Sequence, residues 1–356
     1  MKGWHGFAAL WPQFCHLSVR QKRRSVGGVG SGMGQGGVTD SKARVVDAVI
    51  IGRNEGARLV ACLGSVTGHV RRMVYVDSGS TDGSVAAAMA VGAQVVTLDM
   101  AQPFTAARAR NAGMALLEGA DFVLLLDGDC ALQPGFVGAA LAAFEAHPAA
   151  AVVCGRRRER FTGASVYNAM CDAEWDTPVG LARACGGDAL MRLAAVRSVG
   201  GFRDGLIAGE EPELCVRLRA GGGQVWRIAA EMTLHDAAIT QFGQWWRRAV
   251  RAGHAFAEGA YLHGAGPERH WVREVRRAVV WGAGLPVIIV LAGLIEPVGG
   301  VFLAAVYPLQ VARLSRRMGW RQAGLTVLGK FAECWGAVQF TLGRLRGRGR
   351  GLIEYK

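Results

Sequence analysis

From Val45 onward the chain alternates short apolar runs with longer stretches in which Ala, Leu and Val recur at helical spacing. Val45–Gly52, Arg72–Asp77, Gln94–Leu98 and Phe122–Asp127 are runs rich in Val, Ile and Leu, the pattern of strands covered on both faces. The segments near 56–66, 82–91, 104–118 and 134–146 read as the helices between them. Strand–helix alternation of this kind predicts right-handed crossovers and an α/β fold with a mostly parallel sheet, helices lying on both faces. Ligands of such sheets sit beyond the carboxyl ends of the strands.

Three of those strand ends carry residues of chemical use: Arg53-Asn54-Glu55, then Asp77-Ser78-Gly79-Ser80-Thr81-Asp82, then Asp127-Gly128-Asp129. Two carboxylates one residue apart on a turn suit a hard divalent cation that shares substrate phosphates, and equally suit a turn with Asx hydrogen bonds. Asp77 reads as a contact to a base or ribose, with Asp82 capping the next helix. Arg108, Arg110 and Asn111 lie on the stretch 104–118, where a guanidinium fork can meet a phosphate or simply face solvent. Further on, Gly209-Glu210-Glu211-Pro212-Glu213 opens a helix, with Pro212 at its first position and Glu213 paired to Arg217. Acids at a helix start are favoured by the dipole, but two ahead of Pro212 exceed what capping needs, and Glu211 is the better placed general base. Arg156–Arg160 with Trp175-Asp176 line either an acceptor site or a solvated surface.

The pattern changes again near the end. Ala278–Ile295 is eighteen residues without a charge, Glu296-Pro297 interrupts, and Val298–Ala312 adds fifteen more. Arg276-Arg277 precede the first run and Arg313, Arg316 and Arg317 follow the second, so both flanks of a two-helix hairpin belong on the cytoplasmic side. A pair of buried soluble helices is the competing reading. Leu325–Leu345 is apolar on one side but contains Lys330 and Glu333, which predicts an interfacial or re-entrant amphipathic helix, with Arg344, Arg346, Arg348 and Arg350 meeting anionic headgroups.

Composition adds where the charge lies. At 356 residues the chain exceeds one ordinary domain, and with 51% hydrophobic and 19% charged residues it is no disordered or acidic solvating protein. The net charge of +13 divides into +6 over residues 1–44, −1 over 45–312 and +8 over 313–356. A nucleic-acid protein puts its basic excess on the folded body, so this distribution points to an anionic membrane and away from nucleic acid. The eight cysteines are scattered without zinc or C-x-x-C spacing and read as core residues of a reduced cytosolic protein. Residues 26–38 form a Gly-rich linker in which Gly32, Gly34 and Gly37 match G-x-G-x-x-G with no strand before them; translation from Met33 accounts for this segment better than a dinucleotide site. Residues 1–19 are neither a signal peptide nor a spanning helix.

The order VVDAVIIGRNE, VYVDSGSTDGS, ARNAG, LLLDGDC, GGDALMR, GGF and GEEPELCVRLR, over about residues 46–235, resembles the family 2 glycosyltransferases of GT-A fold. The resemblance implies a GT-A-like nucleotide-sugar-binding sheet and inverting, metal-dependent transfer from a nucleotide sugar, a UDP-sugar first among them, with Mn2+ or Mg2+ as cofactor. It implies donor contacts at Asp77, Arg110, Asn111 and Asp127, with the strand-end residues Asn54, Glu55 and Ser80 beside them. Asp129 takes the metal with Asp127 close by. Glu211 stands where the family's base is more often Asp, and Glu210 is its reserve. His235 falls where similar enzymes bring a His to the metal or diphosphate, although a lone His is more often structural. Gln244-Trp245-Trp246-Arg247-Arg248 is similar to the Q-x-x-R-W motif of processive synthases, but Arg248 replaces its Trp, which argues against a polymerase. Arg247 and Arg248 are divided between donor contact and the membrane interface.

The resulting division is a basic, Gly-rich, disordered tail (1–44), a GT-A-like catalytic domain (45–262) and a membrane-associated helical region (263–356) comprising the hairpin 278–312, the amphipathic helix about 325–345 and a basic tail. The function expected is transfer of a sugar to a hydroxyl of a lipid-linked or glycan acceptor at the cytoplasmic face of the membrane. The alternatives are a degenerate, non-catalytic membrane scaffold or a nucleotidyltransferase.

Overall fold

The computed structural model describes residues 44–347, so the Gly-rich linker with its G-x-G-x-x-G match and the tail arginines Arg348 and Arg350 lie outside the described residues. The elements in chain order are β1 (Val46–Gly52), α1 (Ala57–Val66), β2 (Arg72–Asp77), α2 (Ser84–Ala90), β3 (Gln94–Thr97), α3 (Ala106–Ala115), β4 (Phe122–Asp127), β5 (Cys130–Leu132), α4 (Phe136–Ala146), β6 (Ala150–Glu159), α5 (Val166–Trp175), β7 (Gly180–Ala182) and β8 (Ala189–Arg192). They continue with α6 (Leu193–Ser198), α7 (Glu210–Ala220), β9 (Gln224–His235), α8 (Phe242–His263), α9 (Val272–Val279), α10 (Leu285–Ile295), α11 (Pro297–Ala304) and α12 (Val306–Leu345).

One sheet runs β3-β2-β1-β4-β8-β6-β9-β5, with β7 on β9. Its first half is parallel, as the alternation predicts: β1 pairs with β2 and β4, and β2 with β3. The second half is mixed, because β8 runs antiparallel between β4 and β6, while β5 and β7 run antiparallel to β9. Two registers in this half shape the site. Leu125 of β4 faces Ala189 of β8, which brings the preceding Asp188 to the carboxyl end of β4. Cys130 of β5 faces His235 of β9, which brings the imidazole to Asp129. The core is the apolar interior of this sheet with α1, α3, α4 and α7, including fully buried Ile50, Tyr75, Leu124, Phe136 and Met191.

Helix starts follow the capping chemistry. Thr105 caps α3 by accepting from Arg108 N (3.1 Å), and Ser165 caps α5 by accepting from Asn168 N (3.0 Å). α7 begins at Glu210, so Pro212 is its third residue and not its first; Gly209 takes the cap with φ 78°. A side chain there would meet the Trp271 ring at 2.7 Å, so glycine serves both the left-handed backbone and the packing.

The C-terminal helices are attached to this body through α8. The second half of α12 crosses α8 with backbones almost touching: a Cβ at Gly253 would lie 1.9 Å from Glu333 O, and one at Gly336 2.0 Å from Val250 O. Leu325–Leu345 is therefore a helix, as expected, but its inner face (Thr326, Val327, Ala332, Ala337) is buried on protein while Trp335 and Leu345 stay exposed. α9 passes through one π turn, Val280–Gly284, into α10, and α10 and α11 form a hairpin that turns at Glu296 and is closed by the Gly293–Gly300 contact. Glu296 caps α11 by accepting from Val298 N (3.0 Å) and from Gly299 N. α12 bends at Gly319, where φ is 77°. Leu294, Ile295 and Phe302 at the hairpin end are 78%, 87% and 75% exposed, which an aqueous surface does not favour. Two helical runs among the described residues, Val272–Ile295 and Pro297–Leu345, are long and apolar enough to cross a bilayer.

Candidate donor and metal site

The site grows from the carboxyl end of β4. Asp127 Oδ1 accepts from Arg110 Nη2 (2.8 Å), Asp127 Oδ2 lies 3.5 Å from Arg157 Nη2, and Asp127 N donates to Asp188 Oδ1 (3.1 Å). Arg110 donates through Nη1 to Glu210 Oε1 (2.6 Å), so one buried guanidinium joins the β4 end to the start of α7. Burial alone would raise the Asp127 carboxyl, but Arg110 and Arg157 outweigh it and hold the group below its usual range. Asp188 is wholly buried, accepts also from Thr233 Oγ1 (2.8 Å), and lies 3.6 Å from Arg157 Nε.

Asp129 and His235 form the second cluster. His235 Nε2 lies 3.4 Å from Asp129 Oδ2 and Nδ1 lies 3.4 Å from Glu159 Oε2, a carboxylate–imidazole–carboxylate line that fixes the ring. Trp175 meets that ring edge-on at 4.8 Å and also lies under Arg157 at 4.8 Å. Asp129, Cys130 and His235 place one donor atom each within 4.8 Å of one another. Burial pushes the Cys130 thiol up, so it stays protonated, whereas a carboxylate and an imidazole are donors that Mn2+ accepts. The pair Asp129–His235 thus fits a divalent cation.

Glu211 is buried at the start of α7. Its Oε1 accepts from Cys185 N (2.6 Å), Cys185 Sγ (2.9 Å) and Cys215 Sγ (2.9 Å), while Oε2 accepts from Gly186 N (3.0 Å). Oε1 is saturated; Oε2 retains acceptor capacity for a proton. The seven described cysteines are all free and buried, as expected, but Cys185 and Cys215 serve this carboxylate as donors and not merely as core residues.

A cavity of about 580 Å³ joins the Asp127 network to Glu211, while Asp129 and His235 lie behind its lining, with His235 against the lining residue Trp175. At one end it is lined by Arg110, Asp127, Arg157, Glu210 and Glu211; at the other it reaches α9 and α12. Other expected donor residues hold loops. Asn54 Oδ1 accepts from Thr81 N (2.7 Å) and Asn54 N donates to Ser80 Oγ (2.9 Å), tying the first two strand ends together. Asp77 Oδ2 accepts from Gly79 N and Ser80 N, both 3.0 Å, and Glu55 pairs with Arg58 (2.8 Å). Asp82 accepts from Ser84 N (3.0 Å) in the turn ahead of α2, but Gly83 takes the cap position expected of it. Asn111 clamps the 202–204 loop through Phe202 O (2.8 Å) and Asp204 Oδ1 (2.6 Å). Arg248 and Arg251 line the cavity; Arg247 does not.

Arg157, Glu159 and Trp175 fall in the stretches left open between an acceptor site and a solvated surface, and the structure gathers them at the donor and metal site, whereas Asp188 had no role assigned from the sequence. In β6 the alternation was a usable signal, since Arg157 and Glu159 are buried while Arg156 and Arg158 are not. Asp188 had none beyond its place in GGDALMR, because its position depends on the β4–β8 register.

Residues 47–173 match the family model described as glycosyl transferase family 2. A TPR repeat-containing protein of Synechococcus elongatus is 38% identical over 84 residues, which is 24% of this chain and 20% of the length of that curated relative. Among solved structures, the mannosyltransferase PcManGT from Pyrobaculum calidifontis, in complex with GDP-Man and Mn2+, overlays with a TM-score of 0.60 at 16% identity, covering 83% of this chain and 88% of that one. S. aureus TarS in complex with UDP-GlcNAc overlays with a TM-score of 0.49 at 11% identity, covering 85% and 92%. The motif order, the sheet and the family match agree: residues 47–173 match glycosyl transferase family 2, within an α/β sheet of GT-A-like fold.

Proposed function

We propose that the chain is an inverting glycosyltransferase that moves a sugar from a nucleotide-sugar donor to a hydroxyl of a lipid-linked or glycan acceptor. The observation that carries this reading is the lining of one cavity by the Arg110–Asp127–Glu210 network and Glu211, with the Asp129–His235 pair behind it, His235 packed on the cavity-lining Trp175. Asp129 and His235 hold a divalent cation, which when bound stabilises negative charge on the leaving diphosphate. Arg110 and Arg157 keep Asp127 ionised beside the donor and set its position. Glu211 Oε2 receives the proton from the acceptor hydroxyl as that oxygen bonds to the anomeric carbon and the bond from that carbon to the diphosphate oxygen breaks. Asn54, Ser80 and Asp77 shape the loops that receive the nucleotide, for which a UDP-sugar is the first candidate.

The acids of the site are all in place, which favours a catalyst over a degenerate scaffold. The catalytic domain occupies 45–262 and the region 263–356 seats it on an anionic cytoplasmic leaflet through the exposed hairpin and its flanking arginines. Nucleotide release from a panel of nucleotide sugars with Mn2+ tests the reading, and no release from any donor removes it. Membrane fractionation tests the seat: retention through high-salt washing is expected, and release by salt alone excludes an inserted hairpin.

A further inference from the structure

The far end of the cavity is lined by Arg248 and Arg251 of α8, Arg273 and Arg277 of α9, and Arg317 and Lys330 of α12. Three acids face them: Glu174, which pairs with Arg248 (2.7 Å), Glu333, which pairs with Lys330 (2.6 Å), and Glu274. This leaves an excess of positive charge around Arg273, Arg277 and Arg317. Arg277 carries the sharpest mark, since it lines the cavity and its Nε and Nη2 are buried without a hydrogen-bond partner. Buried donors of a charged group are normally satisfied, so this guanidinium is poised for an acceptor the protein itself does not supply. Just beyond it the polypeptide turns apolar and exposed, through Val279, Val280, Val287 and Leu291. Cationic cavity and apolar exposed helix are thus adjacent on one continuous run, Val272–Ile295.

We propose that this end of the cavity binds the phosphate of a lipid, with Arg277 as its principal donor and Arg273 and Arg317 beside it, the hydrocarbon chain lying along α10. The inference rests on the reading that the cavity serves a sugar acceptor, and it names that acceptor's class: a saccharide carried on a lipid phosphate or diphosphate, whose sugar hydroxyl Glu211 deprotonates. The carboxylates occupy one end of the cavity and the phosphate site the other, so the acceptor's reactive group and its anchor are held at once. A neutral saccharide would leave Arg277 unsatisfied and would have no use for the apolar helix next to it.

The probe is hexadecyl phosphate in neutral detergent, read by the emission of the tryptophans lining the cavity, with hexadecanol and inorganic phosphate as controls and donor hydrolysis measured in parallel on the full chain. Hexadecyl phosphate is expected to bind the wild type more tightly than either control. Its dissociation constant should rise at least about tenfold in Arg277→Gln, less in Arg277→Lys, and not in Arg321→Gln, an exposed arginine on α12 outside the cavity. Equal binding by wild type and Arg277→Gln, or by hexadecyl phosphate and hexadecanol, overturns the site. Inorganic phosphate binding as well as the lipid replaces it with a free-phosphate site. Arg277-dependent lipid binding without donor turnover from any nucleotide sugar would leave this site standing and remove the transferase reading instead.

Discussion

The guanidinium of Arg110 lies 2.8 Å from Oδ1 of Asp127, and the pair links the end of the central strand to the helix that carries Glu210 and Glu211. Removing Arg110 leaves Asp127 without its nearest partner and Glu210 without its own. Arg110→Ala is expected to destabilise the fold by about 3–5 kcal/mol, the usual cost of breaking a buried ion pair from one side, with a smaller loss for Arg110→Lys. Denaturant unfolding checks this, and an unchanged midpoint would show that the network does not hold the site.

The Asp129–His235 pair predicts a metal requirement that can be separated from folding. Chelation should abolish donor turnover and Mn2+ should restore it. Asp129→Asn or His235→Ala should raise the Mn2+ concentration for half-maximal rate at least about tenfold while leaving the thermal midpoint close to wild type. Equal Mn2+ titrations in wild type and both variants would place the ion elsewhere.

Glu211 makes its own prediction because its oxygens are unequal. Glu211→Gln retains shape but presents an amide where Oε2 would take a proton, so turnover should fall by about 10²–10⁴ with substrate KM little changed. Cys215→Ala removes one donor from Oε1 only and should cost far less. Comparable losses in the two variants would mean that the carboxylate serves packing and not proton transfer.

Much of this arrangement was legible in the residues, and the reason is local. β2 and β4 occupy the spans read from their apolar runs because each run is uninterrupted and ends on an acid that leads into a glycine-containing turn. The carboxylates at those ends follow from the rule that open α/β sheets bind at their carboxyl edge. What was not legible depends on register. β8 is a four-residue strand, ALMR, with nothing local to say that it runs antiparallel beside β4, and Asp188 acquires its role only through that placement. Asn111 and Arg247 show the converse: their residue types suited the donor, but the fold uses Asn111 to clamp a loop and sets Arg247 off the cavity.

Glu258 on α8 gives a prediction in pH. Burial raises its carboxyl to about 7, above the unfolded value. The folded chain therefore holds this proton more tightly than the unfolded chain does, and the associated stability is present below the unfolded pKa and lost as pH rises through about 7. Glu258→Gln should be nearly neutral at acid pH and stabilising by about 1–2 kcal/mol at pH 8. Thermal midpoints of the two proteins across that range check it; parallel curves would refute it.

The glycine contact between α8 and α12 predicts a steric switch of state. Gly253→Ala places a methyl against the Glu333 carbonyl and should cost about 1–3 kcal/mol or force the helices apart. Limited proteolysis should then cut near α12 before the sheet domain is attacked. A variant as resistant as wild type would mean that the crossing absorbs the methyl by a shift of axis.

That same contact has a consequence for reach. Two helices whose backbones meet at Gly253 and Gly336 cannot slide or tilt independently, so whatever height the hairpin adopts in a bilayer is passed on rigidly to Asp129 and Glu211. On the proposed membrane seat the domain would then work at one altitude above the leaflet, and substrates would be selected by how far they stand out from it as well as by what they are.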